Sequence, residues 1–452
     1  MKSMLNRRST EDIAITGLLF AFFFLVIAVF QVLKPLKSGL FVEHYGAHME
    51  LYAKLANILI ASIGVGTFTL LYNKLHRQRF IYTLSGFFLL SFLSLAFALG
   101  DEPDPFLIWT FYLLGDLEAT MMVAAFWAYL TDLSHGPDAN RLFGPIGAGG
   151  VLGGWAGVSV AKVLLPTIGT PGLLCLSALF MGGVILIVGS TETLLRRSRI
   201  FTPTIWPDAR SKVESFSRGS LLEAFEGARL VFRSRYLASI AGIMGLYEVA
   251  SQLMDYQFKL AAESMSGVQA TQAFMTDVYL YASLLAVITQ LFLVSSVMKR
   301  FGLGATLLVL PAAIIAGSLG FLAMPSLVAV SLLVIFDNGL SYSIQQTGRE
   351  SLYLATGPDE KYKGRAFISM FVQRTAKGVS ILAVLLLGMV GVAAQYLSLL
   401  TIGIMGVMIL LSVQAGRHYA LATNRIASVE PAQSELQVAS PVLDRRPLAA
   451  AA

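Results

Sequence analysis

Long apolar segments recur along the whole chain and are separated by short polar connections. Segments of about 18 residues or more with few charges are typical of helices that cross a bilayer, and 56% of the residues are hydrophobic whereas 13% are charged. The pattern predicts an all-α polytopic membrane protein with twelve transmembrane helices. The predicted spans are residues 13–33, 51–72, 80–99, 106–131, 145–166, 172–190, 237–258, 274–297, 303–323, 326–347, 366–389 and 394–415.

Lysine and arginine residues concentrate in alternate connections. With the N terminus in the cytoplasm, almost all of them fall on the cytoplasmic side, and the connections after spans 3, 5, 9 and 11 contain none. Cytoplasmic connections of membrane proteins are enriched in these residues, so we expect both termini to be cytoplasmic. The basic residues are spread over short connections, a distribution that suits anionic lipids rather than nucleic acid.

One long polar stretch, residues 191–236, divides the chain into two six-helix halves, which is the layout of the major-facilitator architecture. Similar motifs around Asp116 in span 4 and Asp337 in span 10 suggest that the halves arose by duplication. The predicted organisation is an N-terminal bundle at residues 1–190, a cytoplasmic linker at 191–236, a C-terminal bundle at 237–416 and a disordered cytoplasmic tail at 417–452.

Several charged residues lie inside or beside the spans, where a lone charge costs about 2.5–3.5 kcal/mol on insertion scales. So many charges must face one another or a water-filled cavity. The residues are Lys34, Lys37, Lys54, Asp116, Glu118, Lys162, Glu248, Asp255, Lys259, Asp277, Asp337, Arg374 and Lys377.

Some of these charges have an ordinary explanation. We interpret Lys54, Lys162 and Glu118 as side chains that reach the headgroups from a helix end, whereas Glu248 and Asp277 fit structural ion pairs equally well. Lys37, Asp116, Asp255, Lys259, Arg374 and Lys377 are harder to explain in this way.

Arg374 and Lys377 are three residues apart, so they share one face of a helix. Their mutual repulsion is tolerable only if an anion is present. That anion is either a resident carboxylate or a polyanionic substrate such as a phosphate chain, to which arginine gives bidentate contacts and lysine point-charge contacts. Pro35 beside Lys34 is expected to break or kink span 1 at a cavity-lining position.

Other motifs indicate structure rather than catalysis. The glycine run from Gly147 to Gly157 lacks the Gly-Lys-Ser/Thr ending of a phosphate loop, and small residues at spacing four favour close helix packing. No metalloprotease or nucleophile-elbow motif occurs, and the single cysteine, Cys175, excludes a disulfide framework. We expect a protein that is not an enzyme and has no cofactor or metal.

Spans 10 and 11 carry a recognisable sequence. The stretch Gln346-Thr-Gly-Arg-Glu-Ser-Leu-Tyr-Leu, followed by Asp359-Glu-Lys-Tyr-Lys-Gly-Arg-Ala-Phe-Ile and Arg374-Thr-Ala-Lys377-Gly, resembles the ATP/ADP translocases of plastids and intracellular bacteria. Weaker similarities are Lys34-Pro-Leu-Lys37, Gly115-Asp116-Leu and Asp255-Tyr-Gln-Phe-Lys259. Ser38 and Ser369 stand where the family pattern has acidic residues.

The resemblance implies a major-facilitator-like antiporter that exchanges nucleotides such as ATP and ADP across a lipid bilayer, here a bacterial inner membrane. Its functional charges fall on Lys37, Asp116, Asp255 and Lys377. We expect Lys37, Lys259, Arg374 and Lys377 to clamp phosphates, and Asp116 and Asp255 to pair with these cations when the site is empty. The complete set of candidate residues is Lys34, Lys37, Asp116, Asp255, Lys259, Arg374 and Lys377, with Asp337, Arg349 and Glu350 as secondary candidates.

Two other functions stay open at this point. A proton-coupled exporter or lipid flippase of the same fold would use Asp116, Asp255 and Asp337 as proton carriers. A membrane sensor or scaffold would use the polar segment 191–235 as its partner surface.

Overall fold

The computed structural model describes residues 10–100, 103–133, 143–195, 226–353, 356, 364–389 and 393–439. Every regular element in these ranges is helical, as predicted. Eight helices among them are long and apolar enough to cross a membrane. Their lengths and the apolar residues on their surfaces identify an integral membrane protein, because lipid stabilises such surfaces whereas water does not.

The helices follow the predicted spans closely, although several of them continue from one span into the next. The labelled helices are α1 (Thr10–Lys74), α2 (Arg77–Ala98), α3 (Pro105–Leu133), α4 (Phe143–Leu195), α5 (Arg235–Ala262), α6 (Val268–Ile288), α7 (Val294–Ala323), α8 (Leu327–Leu340), α9 (Gln346–Leu352), α10 (Gln373–Met389) and α11 (Leu397–Ala439). Short π-helical segments at Thr289–Leu293 and Ser341–Gln345 join α6 to α7 and α8 to α9, a third at Ile368–Val372 follows the single turn Arg365–Phe367 and leads into α10, and a 3₁₀ turn at Ala394–Tyr396 precedes α11.

Three glycines interrupt long helices. Gly46 in α1, Gly169 in α4 and Gly302 in α7 have φ angles of 80°, 63° and 78°, a region that other residues rarely adopt. Each glycine falls between two predicted spans, so each break separates two consecutive helical arms. The total of twelve crossings stays a prediction.

Of the break or kink expected at Pro35, the break does not occur. The backbone of α1 keeps helical angles through Pro35 and leaves them at Gly46. The first arm of α1 therefore runs well past the predicted end at residue 33, and Lys34 and Lys37 lie within a helix rather than beyond its end.

Glycines in the first arm of α4 let it pack directly on α1. A Cβ atom at Gly149, Gly153 or Gly157 would lie 2.2–2.4 Å from a carbonyl oxygen of α1, closer than any van der Waals contact permits. The two backbones touch because these positions have no side chain. The sequence prediction that this run serves packing rather than phosphate binding is confirmed.

The apolar interior contains separate cores on the two sides of the polar stretch. The largest core draws its fully buried residues from between Ile15 and Leu195, and the next from between Val231 and Ala415. Residues 196–225 of the predicted linker lie outside the described residues, so the exact domain boundaries stay predictions. The α11 backbone is helical across residues 417–439, where the sequence predicted disorder.

Candidate functional site

A cavity of about 380 Å³ lies between the two halves. Its walls come from α1 and α3 of the first half and from α5, α6, α8, α9, α10 and the π-helical segment at Ser341–Gln345 of the second. Its volume is in the range of small-molecule sites, about 300–1,000 Å³. We call this cavity the central chamber.

Polar and charged side chains form almost the whole wall of the central chamber, and its cations outnumber its acids. A π-helical segment, a feature that is frequent at functional sites, also supplies Ser341 and Tyr342 to the wall. The lining cations are Lys34, Lys37, Lys54, Lys259, Arg349 and Lys377, and the lining acids are Asp116, Glu248, Asp255 and Asp337.

Half of the lining cations have carboxylate partners. Lys37 of α1 forms an ion pair with Asp116 of α3, and a Cβ at Gly115 would lie 2.8 Å from the Lys37 Cδ atom, so the glycine leaves room for this side chain. Lys54 pairs with Asp255 across the two halves. The Lys259 Nζ atom lies 3.0 Å from the same aspartate. The expected pairing of Asp116 and Asp255 with chamber cations is present.

The other lining cations, Lys34, Arg349 and Lys377, have no ion-pair partner within the described part of the chain. Lys34 donates to the Asn338 Oδ1 atom at 2.9 Å and lies 4.1 Å from the centre of the Tyr279 ring. The Arg349 guanidinium lies 5.4 Å from the Tyr247 ring, and its Nε atom has no hydrogen-bond partner among these residues. These cations can accept an anion without giving up a carboxylate.

The structure does not bring two of the candidate residues to the chamber. Arg374 is exposed and does not line the chamber, although Lys377 does. With a rotation of about 100° per residue, Gln373 and Lys377 face the chamber from a narrow arc of α10 that excludes Arg374. Glu350 is also exposed, and Arg365 donates to it at 2.9–3.0 Å. The clamp role predicted for Arg374 therefore lacks geometric support.

The remaining candidates line the chamber. They are Lys34, Lys37, Asp116, Asp255, Lys259 and Lys377, together with the secondary candidates Arg349 and Asp337. Asp337 is 4% exposed and accepts hydrogen bonds from the Tyr247 hydroxyl at 3.0 Å and the Ser251 hydroxyl at 3.1 Å.

The interpretation of Lys54 and Glu118 as headgroup-reaching side chains is wrong. Lys54 is buried in the chamber wall. Glu118 is 0% exposed, and neither of its carboxylate oxygens has a hydrogen-bond partner among the described residues. Lys162 and Asp277 form a half-exposed ion pair between α4 and α6, which confirms the ion-pair alternative for Asp277. The interpretation failed for Lys54 and Glu118 for the same reason, because hydropathy does not show how deeply a side chain of a long helix is buried.

Glu50 is a site residue that the sequence analysis missed. It is 1% exposed and its Oε1 atom accepts from Lys259 at 2.5 Å and from the Ser38 hydroxyl at 3.2 Å. The second predicted span begins at residue 51, which places Glu50 in a connection. Its spacing of four from Lys54 was the available signal. Ser38, which stands where the family pattern has an acidic residue, therefore contacts a carboxylate supplied by Glu50.

One end of the bundle is closed by polar contacts between the halves. This outer end, where α1 turns at Gly46 and α5 leads into α6, is the end that the sequence predicts to face away from the cytoplasm. The Glu43 carboxylate accepts from the Gly267 amide and the Thr271 hydroxyl, each at 2.8 Å. The Glu263 carboxylate accepts in turn from the Ala47 amide of the first half. Each half therefore caps a helix start of the other.

Aromatic rings accompany the unpaired cations. Tyr247, Tyr279 and Tyr342 line the chamber, where they offer flat faces for stacking and hydroxyls for hydrogen bonds. A ligand that combines a polyanionic chain with a flat ring system matches this wall. Groups of three or more residues suited to a metal ion are absent from the described residues.

Comparisons with known proteins agree with this chemistry. The family model described as "TLC ATP/ADP transporter" matches residues 106–419. The chain is 21% identical to ADP,ATP carrier protein 5 of Rickettsia prowazekii over 80% of its own length and 84% of that protein. It is 21% identical to the plastidic ATP/ADP-transporter of Solanum tuberosum over 77% of its own length and 64% of that protein.

Solved structures support the fold. The nucleoside transporter NupG matches with a TM-score of 0.60 and 16% identity over 89% of this chain and 99% of that one. The proton:xylose symporter XylE of the major facilitator superfamily matches with a TM-score of 0.53 and 12% identity over 89% and 94%. Together with the family match over most of the chain, these likenesses show that the protein is a membrane transporter of major-facilitator-like fold, not an enzyme, and that it belongs to the TLC ATP/ADP transporter family.

Proposed function

We propose that this protein exchanges nucleotides of the ATP/ADP type across a membrane by alternating access through the central chamber. The observation that carries the proposal is the set of lining cations without carboxylate partners among the described residues, namely Lys34, Arg349 and Lys377. Unpaired cations in a membrane protein are costly unless an anion compensates them. A phosphate chain supplies several negative oxygens that can accept hydrogen bonds from such cations.

The paired cations act at a second stage. Lys37 and Lys259 are held by Asp116, Asp255 and Glu50 in this structure, so a phosphate must displace a carboxylate to reach them. The clamp proposed here differs from the predicted one, because Lys34, Arg349 and Lys377 receive the substrate and the paired lysines Lys37 and Lys259 join later. Arg374 is left out of this clamp.

The contacts at the outer end support alternating access. The halves are joined there by Glu43 and Glu263, and the chamber lies on the cytoplasmic side of that seal. A rocking motion of one half against the other would open the outer end and close the opposite one. The distribution of basic residues supports cytoplasmic termini, and we propose a bacterial inner membrane as the location.

Thermal unfolding of the purified protein with graded ligands tests substrate binding. We expect ATP and ADP to raise the melting temperature, AMP to raise it less, and adenosine to leave it almost unchanged, because the phosphates contact the unpaired cations. Ligand at about 100 times its Kd adds about 2.7 kcal/mol of stability. Equal shifts with ATP and adenosine, or none with either, would contradict the proposal.

A second function is favoured by one observation. Glu248 and Asp337 line the chamber without an ion-pair partner in the described ranges, and unpaired membrane acids can carry protons. A proton-coupled exporter would show transport that depends on a pH gradient and is not competed by nucleotides. The nucleotide proposal predicts the opposite behaviour in both assays.

A further inference from the structure

Two acids and two lysines form crossed ion pairs between the halves. Glu50 and Lys54 are four residues apart on the second arm of α1, and Asp255 and Lys259 are four residues apart on α5. Lys54 pairs with Asp255, and the Lys259 Nζ atom lies 2.5 Å from Glu50 and 3.0 Å from Asp255. We call these four residues the crossed quartet.

The crossed quartet lies between the chamber and the seal at the outer end. On α1, Ala47 takes part in the seal, Glu50 is about one turn further along the helix, and Lys54 another turn. Lys54, Asp255 and Lys259 line the chamber, whereas Glu50 does not. One end of the quartet thus faces the substrate space and the other faces the seal.

Separation of the halves at the outer end would break the crossed pairs. All four side chains are substantially buried, with Glu50 at 1% and Lys259 at 6% exposed. Removal of a partner from a buried charge is strongly unfavourable. The Glu50 Oε2 atom already lacks a partner among the described residues. An empty chamber therefore offers only water, and no opposite charge, to the two lysines that lose their partners.

A polyphosphate lowers the cost of separating the crossed pairs. Its oxygens can reach Lys54 and Lys259 from the chamber and keep both lysines compensated while the halves move apart. The carboxylates of Glu50 and Asp255 would be hydrated by the water that enters the opening outer end. Bound substrate thus removes the penalty that holds the empty protein closed.

We propose that Glu50 is a positioning residue that, together with the phosphate-contacting Lys54, couples phosphate binding to release of the outer seal, and that the crossed quartet makes transport an obligatory exchange. The inference rests on the proposed nucleotide exchange. It assigns a role to Glu50, which does not line the substrate space.

The test compares two effluxes from proteoliposomes loaded with labelled ADP, one into nucleotide-free buffer and one into buffer with ATP. Wild-type protein is expected to give a low ratio of the first to the second. Glu50→Gln is expected to raise this ratio about tenfold or more, because it weakens the closed state of the empty protein. Glu50→Asp keeps the carboxylate and should restore a low ratio.

Asp277→Asn is the matched control. It removes an ion pair that also joins the halves, but the side chains of Asp277 and Lys162 are 37% and 45% exposed and neither lines the chamber. The ratio should not change. An unchanged ratio in Glu50→Gln with normal wild-type exchange would overturn the quartet inference alone, whereas absence of wild-type exchange would overturn the proposed function.

A second measurement applies even if Glu50→Gln does not fold. Thr271 is fully buried in the outer seal, so Thr271→Cys in a Cys175→Ala background reports opening of that end to a membrane-impermeant maleimide. ATP should accelerate labelling and adenosine should not. Labelling at the same rate with and without ATP would overturn the inference.

Discussion

Replacement of Lys377 by alanine is expected to raise the KM for ATP about tenfold to a hundredfold. Lys377 lines the chamber and has no ion-pair partner within the described residues, so its ammonium is available to the phosphates. Hydrogen bonds to charged groups contribute about 1.5–3 kcal/mol, and about 1.4 kcal/mol corresponds to a factor of ten. Initial rates of labelled ATP uptake at graded concentrations measure the effect.

Arg374→Ala is the control for this prediction. Arg374 has the same charge and lies on the same helix within one turn of Lys377, but it is exposed and does not line the chamber. The KM of the Arg374→Ala variant for ATP should stay within about twofold of the wild-type value, because substitutions of exposed residues have small effects. Equal losses in both variants, or a loss in Arg374→Ala alone, would contradict the assignment of the clamp.

Replacement of Lys259 by methionine is expected to destabilise the protein by about 3–5 kcal/mol. Lys259 is the ion-pair partner of Glu50, which is 1% exposed, and it also contacts Asp255. The methionine fills a similar volume but leaves a buried carboxylate without its cation. Thermal unfolding in detergent would show the loss as a lower melting temperature.

The double variant Lys259→Met/Glu50→Gln separates this electrostatic effect from packing. It removes the isolated carboxylate together with its cation. It should recover a large part of the stability lost in Lys259→Met, because the effects of substituting two interacting residues do not add. A double variant as unstable as the sum of the single variants would show that the two side chains do not interact.

The fold could be predicted from sequence because the bilayer restricts the choices. A spanning segment must satisfy its own backbone hydrogen bonds, so long apolar runs specify helices. Backbone that leaves the helix cannot face lipid, so the chain turns outside the apolar runs. The helix breaks at Gly46, Gly169 and Gly302 accordingly lie between predicted spans. The break expected at Pro35 does not occur because a proline within a helix removes one hydrogen bond without requiring that the helix end.

The candidate site was predicted in part. Lys37, Asp116, Asp255 and Lys377 were found by their cost in lipid and by family resemblance, and all four line the chamber. Arg374 is a candidate because a spacing of three residues places its side chain on roughly the same helix face as that of Lys377. Only a narrow arc of α10 faces the chamber, however, and Arg374 lies outside it.

The sequence predicted that Asp116 and Asp255 pair with cations of the site, but it missed the pairs that Glu50 and Lys54 form with residues of the other half. Glu50 lies 209 positions from Lys259 in the chain, and the partner of Lys54, Asp255, lies in the other half. Which cations are paired and which are available depends on how the two halves meet. The distinction between Lys34, Arg349 and Lys377 and the paired lysines therefore came only from the structure.

The most direct measurement is uptake of labelled ATP into proteoliposomes that contain purified protein and are preloaded with ADP. Exchange through the central chamber predicts rapid uptake into ADP-loaded vesicles, little uptake into vesicles loaded with adenosine or buffer, and no requirement for a pH gradient. Uptake that is equal in all three preparations, or that appears only with a pH gradient, would contradict the account.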